Sequence, residues 1–532
     1  MADDSRWKAF STVAPEESRC RLVFPFGLRR SPIKPPSRGD PKIPQNTMLT
    51  SAHSTDSNAA TAASGSAVAA TRSQLRHSFR VRDGVALIVS NVIGVGIFTT
   101  PAIIARLVPS PGAMLALWIA GGCLALAGAM SYAQLGRMWP SAGGEYIYLS
   151  KAYGPTAGFL SGWTSLIAGF SGAVAASAVG LVIYLGQYFP ALASDHGLFS
   201  INFYVSAFRF SPRSLTAASV IILFAALHAC NLGAGKLTQN TLALLILAII
   251  VVFCLLGFAV GTGSWSHFHS PNIPLRPMNW LLALIPIMFT YSGWNAASYI
   301  SEELYDTRRA IGPALLIGTW IVVGLYVVLN TLYLYAIPPD TMQSAVNVGD
   351  VAAQALFGVG RNFITPALII ALLGAISAMT IAGPRVYFAM AREGAFVPSF
   401  ARTSARFGTP ALAIVLQAGW SIVLVTVGGF EQILMYTGFA ILLSSGAAVA
   451  GLFVVQRQAL RSNARLWLKM SAPAVFVIAC AAIVVNAVMG APRTAFVGAA
   501  LIAAGLPVFF WSRRADAAGS VVESEPVIAE TD

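Results

Sequence analysis

The chain has 532 residues, 56% of them hydrophobic and only 10% charged, with a mean hydropathy of +0.69. That is far more apolar than a soluble globular protein of ordinary composition, so the water-soluble classes are excluded and a polytopic membrane protein remains. The formal net charge of +13 raises nucleic acid as a partner, but the placement of the cations between apolar runs excludes that reading as well.

In chain order, residues 1–78 come first, rich in Ser, Ala, Pro, Thr and basic residues, with Ser51–Thr55 and Ala59–Ser64 close to low complexity. Such composition cannot bury enough apolar surface to fold alone, so a disordered cytoplasmic tail is expected. Val23-Phe24-Pro25-Phe26 is too short for a signal h-region, and no small-residue cleavage site follows it. Met48 offers an alternative start, in which the first 47 residues are not translated.

Apolar stretches long enough to cross roughly 30 Å of hydrocarbon as helices then recur. Twelve are read from the sequence: 84–108, 112–136, 155–189, 213–230, 236–261, 279–303, 310–336, 362–391, 410–427, 430–456, 466–489 and 492–512. The least distinct separations are Val427-Gly428-Gly429-Phe430 and Met489-Gly490-Ala491-Pro492, and an odd total would put the termini on opposite sides. With the N-terminus inside, Arg137, Lys151, Lys236, Arg308, Arg309, Arg392, Arg402, Arg406, Arg457, Arg461, Arg465, Lys469, Arg513 and Arg514 fall on the cytoplasmic side. Against these fourteen, Arg209, Arg213, Arg276, Arg361 and Arg493 fall outside. The asymmetry satisfies the positive-inside rule for an even number of spans, so both termini are expected in the cytoplasm. Residues 515–532 form a second polar tail.

Cys123, Cys230, Cys254 and Cys480 lie inside spans and Cys20 in the tail, so they read as packing residues rather than a ligand cluster. No CxxC, HExxH, Walker A or strand-borne GxGxxG occurs. Neither an enzyme, a cofactor nor a bound metal is expected.

Two spans carry glycine-marked breaks about 200 residues apart: Asn91-Val92-Ile93-Gly94-Val95-Gly96-Ile97-Phe98 and Phe289-Thr290-Tyr291-Ser292-Gly293-Trp294-Asn295. Lipid cannot satisfy freed backbone groups, so an opened turn at membrane depth must face protein, water or a ligand, and such paired interruptions mark a transporter's binding site. If the helix unwinds at Gly94 to Gly96, the N–H groups of Val95, Gly96 and Ile97 become the start of a half-helix, where a carboxylate is favoured. The second break would expose the carbonyls of Phe289, Thr290 and Ser292, acceptors for an ammonium group. Together they suit an α-amino acid. The competing reading is that the glycines only allow close helix packing.

These residues resemble the amino acid, polyamine and organocation permeases, in particular the L-type amino acid transporter branch and its bacterial relatives. The first break is similar to the IGxGIF signature, and Phe289 to Glu303 is similar to FxYxGWNxxxxxxEE. Pro140–Tyr146, Tyr148-Leu149, Ala152-Tyr153-Gly154 and Arg385–Gly394 extend the likeness, which covers about residues 80–512. The resemblance implies an all-α, LeuT-type fold of twelve transmembrane helices, in which spans one to ten (79–456) form a 5+5 inverted repeat and spans eleven and twelve (457–514) follow it.

By motif, it further implies that the substrate carboxylate meets the amides of Val95, Gly96 and Ile97, and the ammonium the carbonyls of Val92, Phe289 and Ser292. Phe289 resembles the aromatic gate. The candidate binding set is therefore Val92, Gly94, Val95, Gly96, Ile97, Phe289, Tyr291, Ser292 and Gly293. Where the branch carrying large neutral amino acids often has glycine in the sixth-span break this chain has Ser292, and where serine is common in the first it has Val95.

The chain also departs from the pattern. The lysine common in the fifth span, where it substitutes for sodium, is Ile246 by count from Gln239-Asn240, and the hydroxyl ligands of sodium-coupled members align with Met379 and Gly383, with Ser377 and Thr380 close by. Neither a sodium site nor its substitute is evident. Glu302 and Glu303 are candidates for a cytoplasmic gate through Arg385 or Arg392, the alternative being a solvated helix end. Glu145 either joins that inner network or lies on the surface. His228 reads as a packing residue rather than a proton carrier, and Trp294 and Asn295 as supports of the unwound segment.

The expectation is a sodium-independent secondary transporter of neutral L-amino acids in the plasma membrane, working by alternating access through exchange or proton-linked uptake. An amine or polyamine carrier of the same fold is the alternative, weakened because the cores of spans one, three, six, eight and ten show no acidic residue. A non-transporting amino acid sensor is the third reading. The expected partners are the amino acid substrate and the lipid bilayer, and no helper subunit is evident.

Overall fold

The computed structural model describes residues 75–510, apart from 203–206, 270–276, 359, 428–429, 463 and 491. The N-terminal tail through residue 74, with the Met48 question, and the tail from 515 lie outside the described residues. Packing begins slightly before the expected boundary at 79: Leu75 is buried against Ala142 and Phe388, and the N–H groups of Ser78 and Phe79 both donate to the Glu303 carbonyl.

The described chain is almost entirely helical. Helices α1 (Val81–Val92) and α2 (Gly96–Leu107) meet at 49°. They are followed by α3 (Pro111–Met138), α4 (Glu145–Tyr153) and α5 (Pro155–Thr164). A π turn, Ser165–Gly169, joins α5 to α6 (Phe170–Leu185). An antiparallel hairpin, β1 (Phe199–Asn202) with β2 (Ala207–Phe210), sets Phe199 opposite Phe210. Next come α7 (Pro212–Cys230), α8 (Leu232–Val260), α9 (Pro277–Thr290), α10 (Thr307–Ala336), α11 (Val348–Phe357) and α12 (Gly360–Arg392). The last labelled helices are α13 (Ala411–Val427), α14 (Phe430–Val455), α15 (Ser471–Gly490) and α16 (Pro492–Ala503).

Local chemistry fixes several starts. Pro111, Pro155 and Pro212 sit in first turns, where a missing N–H is harmless. Ser211 and Ser214 cap α7 reciprocally, and the Asn231 side chain caps α8 by accepting from the Ala234 N–H at 2.9 Å.

Among the described residues, seven helices are long and apolar enough to cross a membrane, eight if the bent α1/α2 pair is one span. The remaining four expected spans fall on shorter apolar helices, Asn279–Thr290, Ala411–Val427, Ala440–Val455 and Ala495–Phe510. The largest departure is in the sixth. Its helix stops at Thr290, and the chain continues through turns and 3-10 segments at Ala296–Ser298 and Ser301–Glu303.

Helix α10 packs on α3 and α1, α8 on α1, and α12 on α6, so both breaks sit inside the bundle. Trp118, Tyr132, Tyr148, Tyr291 and Tyr326 are fully buried between them. Helices α7 and α8 instead expose Ile222, Leu223, Leu244 and Leu255, as a membrane span does where it meets lipid.

Candidate functional site

The two breaks touch. Gly293 adopts φ +108, open to glycine and strained for other residues, and a Cβ there would stand 3.0 Å from the carbonyl of Asn91. A Cβ on Gly96 would stand 3.1 Å from Thr290 Oγ1. Thr290 in turn shares a 2.7 Å hydrogen bond with Thr100, and the Tyr326 hydroxyl of α10 donates to the carbonyls of Val92 (2.9 Å) and Thr290 (3.4 Å). A buried phenol thus pins the last turn of α1 to the last turn of α9. Helix α2 starts at Gly96, so its first N–H groups, which have no intrahelical acceptor, and its positive dipole end lie at the junction.

A cavity of about 490 Å³ opens beside this junction. Val92, Gly94, Val95 and Gly96 line it from the first break, and Phe289, Ser292 and Gly293 from the second, with Asn91, Thr290, Asn295 and Tyr299 added. Phe289 is 47% exposed. Ile97 and Tyr291 are not on the wall: Ile97 is buried in the core, and the Tyr291 hydroxyl donates to the Trp118 carbonyl at 3.2 Å. The Phe289 carbonyl accepts from the Ser292 N–H at 3.0 Å. Ser165 and Gly169 of the π turn, Phe170 of α6, and Leu372, Ala375 and Met379 of α12 also line it. Irregular turns of this kind often mark functional sites, and nothing in the sequence Ser165-Leu166-Ile167-Ala168-Gly169 announces it.

Glu145 also lines the cavity, an acidic residue supplied by the segment after the second span and not by the span cores, which show none. Gly143 and Gly144, at φ +109 and +52, turn the chain so that α4 begins at Glu145, and a Cβ on Gly144 would lie 2.6 Å from the Tyr299 ring. The buried carboxylate accepts from the hydroxyl of Tyr132 (2.7 Å), the amide of Asn295 (2.7 Å) and the hydroxyl of Ser445 (2.9 Å) at Oε1, and from the Tyr299 hydroxyl (2.6 Å) at Oε2. The surface alternative for Glu145 is therefore overturned.

Beyond the second break lies a layer of ion pairs. Arg385 binds Glu303 through Nε (2.7 Å) and Nη2 (3.1 Å), both side chains buried. Arg392 binds Glu302 at 2.6 Å to each oxygen, and Glu302 Oε2 also accepts from the Ala142 N–H at 3.1 Å. Glu302 and Arg385, named together as gate residues, are thus neighbours with different partners. The solvated-end alternative does not describe Glu303, which is fully buried.

The fifth and eighth spans carry the departures seen in sequence. Ile246 is buried, and the charge on α8 is Lys236, whose ammonium donates to the Ser78 carbonyl at 2.9 Å and lies 3.8 Å from Asp83. Ser377 is bonded to His228 at 2.9 Å, and Thr380 donates to the Ile376 carbonyl at 2.7 Å. Gly383 is packed beneath Gln417 and Phe170.

Comparison with known proteins places this architecture. The chain is 25% identical to the large neutral amino acids transporter small subunit 2 of Rattus norvegicus, over 84% of its own length and 83% of that protein. It is 24% identical to the Asc-type amino acid transporter 1 of Homo sapiens, over 83% of each chain. To the b(0,+)-type amino acid transporter 1 of Mus musculus it is 28% identical, over 70% of its length and 75% of the relative. Residues 81–511 match the family described as amino acid permease, a span that takes in both breaks, Glu145 and the ion pairs, and the chain belongs to that family of membrane permeases.

Proposed function

We propose that this permease is a secondary transporter of neutral L-amino acids, working by alternating access in the plasma membrane without sodium. The observation that carries the reading is the junction itself: the start of α2 and the opened turn after Thr290 face one cavity, offering donors to a carboxylate and acceptors to an ammonium without a net backbone charge. The carboxylate meets the N–H groups of Val95 and Gly96, and the ammonium meets the Ser292 carbonyl and the remaining lone pairs of Val92 and Phe289. Phe289 closes over the substrate. Sodium independence is supported by Met379 and Gly383 standing where sodium-coupled members supply hydroxyl ligands, and by the engagement of the neighbouring Ser377 with the buried His228.

The test is uptake by purified protein in liposomes, with labelled alanine, leucine, lysine and putrescine, with and without internal counter-substrate. Saturable uptake of the neutral amino acids, unchanged when choline replaces sodium, is expected, and amino acid amides should compete poorly. A large loss in choline, or full competition by an amide, refutes the corresponding part.

Glu145 favours a second reading, a cationic substrate. It ranks lower because four donors already occupy the carboxylate, so an ammonium must displace them. Preferred uptake of putrescine would reverse this order.

For the fold we propose the LeuT-type arrangement of twelve spans, with the breaks in spans one and six of two inverted repeats, two further helices and both termini in the cytoplasm. The Glu302–Arg392 and Glu303–Arg385 layer then closes the cytoplasmic side. Impermeant thiol reagents should fail to reach cysteines placed in either tail of a cysteine-free protein in intact cells, and labelling of one tail would sink the even count.

A further inference from the structure

Glu145 stands apart from the other carboxylates that are buried or, like Glu302, partly buried. Glu303 is held by Arg385, Glu302 by Arg392, and Asp83 lies near Lys236, whereas no cation lies within ion-pair distance of Glu145 among the described residues. A buried charge without a counter-ion is costly, and ionisable groups kept in membrane interiors commonly mark ion and proton pathways. We propose that Glu145 is a proton-binding site facing the substrate cavity, and that the proton it takes up is carried with the amino acid. This rests on the transport reading above.

The donor set suits a group that changes charge. As an anion, Glu145 is stabilised by three hydroxyls and one amide. Each hydroxyl is donor and acceptor, so it can rotate to serve the neutral acid as well. Oε1 already takes three bonds and Oε2 one, so the proton belongs on Oε2, from which it is donated to the Tyr299 oxygen while the phenol's own hydrogen turns toward the cavity. An arginine partner permits no such exchange, because neutralising the acid would leave the guanidinium alone.

Access and consequence are built in. Glu145, Asn295 and Tyr299 all line the cavity, so the proton arrives by the route the amino acid uses. The donors come from α3, the second break and α14, so the charge on Glu145 decides how firmly the turn that meets the substrate ammonium is held. The titratable groups facing it are the phenols of Tyr132 and Tyr299, with Tyr148 edge-on to Tyr132. Helix α5 and the described side chains of α14 bring none. On α12, Arg385 and Arg392 are held by their glutamates, and the Tyr387 hydroxyl donates to the Ser165 carbonyl.

The experiment uses the full chain in liposomes loaded with a pH-sensitive dye, with labelled alanine and its counterflow followed in parallel. Alanine uptake by the parent should acidify the lumen and speed up as the outside pH falls. In Glu145→Gln the alanine that still moves should carry no acidification, and its rate should lose its pH dependence. Tyr299→Phe removes the donor on Oε2, weakens the hold on the anion, and should shift the midpoint of the pH profile upward. The proposal is overturned if the parent moves alanine without protons, or if Glu145→Gln acidifies the lumen as the parent does. Should Glu145→Gln move nothing, an unshifted midpoint in Tyr299→Phe overturns it. Loss of lysine or putrescine uptake in Glu145→Gln, with alanine-linked acidification kept, overturns it in favour of a cation-recognition site. Absence of any labelled amino acid counterflow in the parent is a different failure, that of the transport reading itself.

Discussion

Around the cavity, polar contacts come from opened backbone and from hydroxyls and an amide gathered on Glu145 without a cation, whereas a few residues along the chain, at Glu302 and Glu303, they come from carboxylates gripped by arginines. Both regions are buried, and both must satisfy polar groups away from water. Hydroxyls and carbonyls can trade partners when a ligand arrives, because each keeps spare hydrogen-bonding capacity. An ion pair cannot trade without exposing an uncompensated charge. The contrast gives the cavity partners that can be traded and the layer partners that are fixed, as the proposed closure of the cytoplasmic side requires.

The largest effect should follow from breaking the deepest pair. Arg385→Leu leaves the fully buried Glu303 without its guanidinium and should destabilise the purified protein by about 3–5 kcal/mol. Adding Glu303→Leu should recover most of that, since a buried pair replaced by apolar groups is often nearly neutral. Thermal unfolding in detergent measures both. A single variant that melts with the parent would show that the layer is not the rigid element.

A cavity substitution should behave in the opposite sense, with function failing before stability. A side chain at Gly96 meets Thr290 and blocks the start of α2, so Gly96→Val should abolish alanine binding while overpacking lowers stability by only about 1–3 kcal/mol. Binding by the folded variant at parent affinity would remove the backbone from the carboxylate site.

The Glu302–Arg392 pair lies between these extremes. Its side chains keep 17% and 18% of their exposure, so water can reach Glu302 once Arg392 is gone, and Arg392→Gln should cost less than Arg385→Leu in the same unfolding assay. Its effect should appear as access. Ala142, whose N–H donates to Glu302, is buried, so a cysteine placed there in a cysteine-free protein should react faster with a permeant thiol reagent once Arg392 is replaced. Equal reactivity would mean that this pair closes nothing.

The contrast also marks what sequence alone could reveal. Both breaks are legible because glycine marks them, Gly293 by its positive φ and Gly96 by the close approach of Thr290, and the permease pattern spans them. The glutamate–arginine layer is legible as a set of residues, but not its pairing: the carboxylates are adjacent, and which arginine each reaches depends on α9 stopping at Thr290 and the chain running on as 3-10 turns. Glu145 is harder. Its donors lie 13, 150, 154 and 300 residues away, so no local pattern reveals its burial; the Gly143-Gly144 pair before it is the one sequence mark. The π turn at Ser165–Gly169 has no such mark in its sequence.

The smallest expected effect concerns substrate size and asks how adaptable the cavity is. Val95 and Ser292 both stand on its wall, one from each break, at positions where the branch that carries large neutral amino acids often has serine and glycine. With the substrate bound as proposed, each adds bulk to the wall near its α-carbon, so the pocket should favour alanine, serine or threonine over tryptophan. A methylene-sized difference in a pocket is worth about 1–3 kcal/mol, enough to rank substrates but not to exclude medium side chains. The opposing possibility is that the wall formed by Leu372 and Ala375 of α12 retreats and restores the volume. Competition by alanine, leucine and tryptophan on the parent and on Ser292→Gly separates the two. The glycine variant should gain tryptophan relative to alanine, and an unchanged ranking, or a parent that already prefers tryptophan, would mean that the wall moves and that Ser292 does not set the size limit.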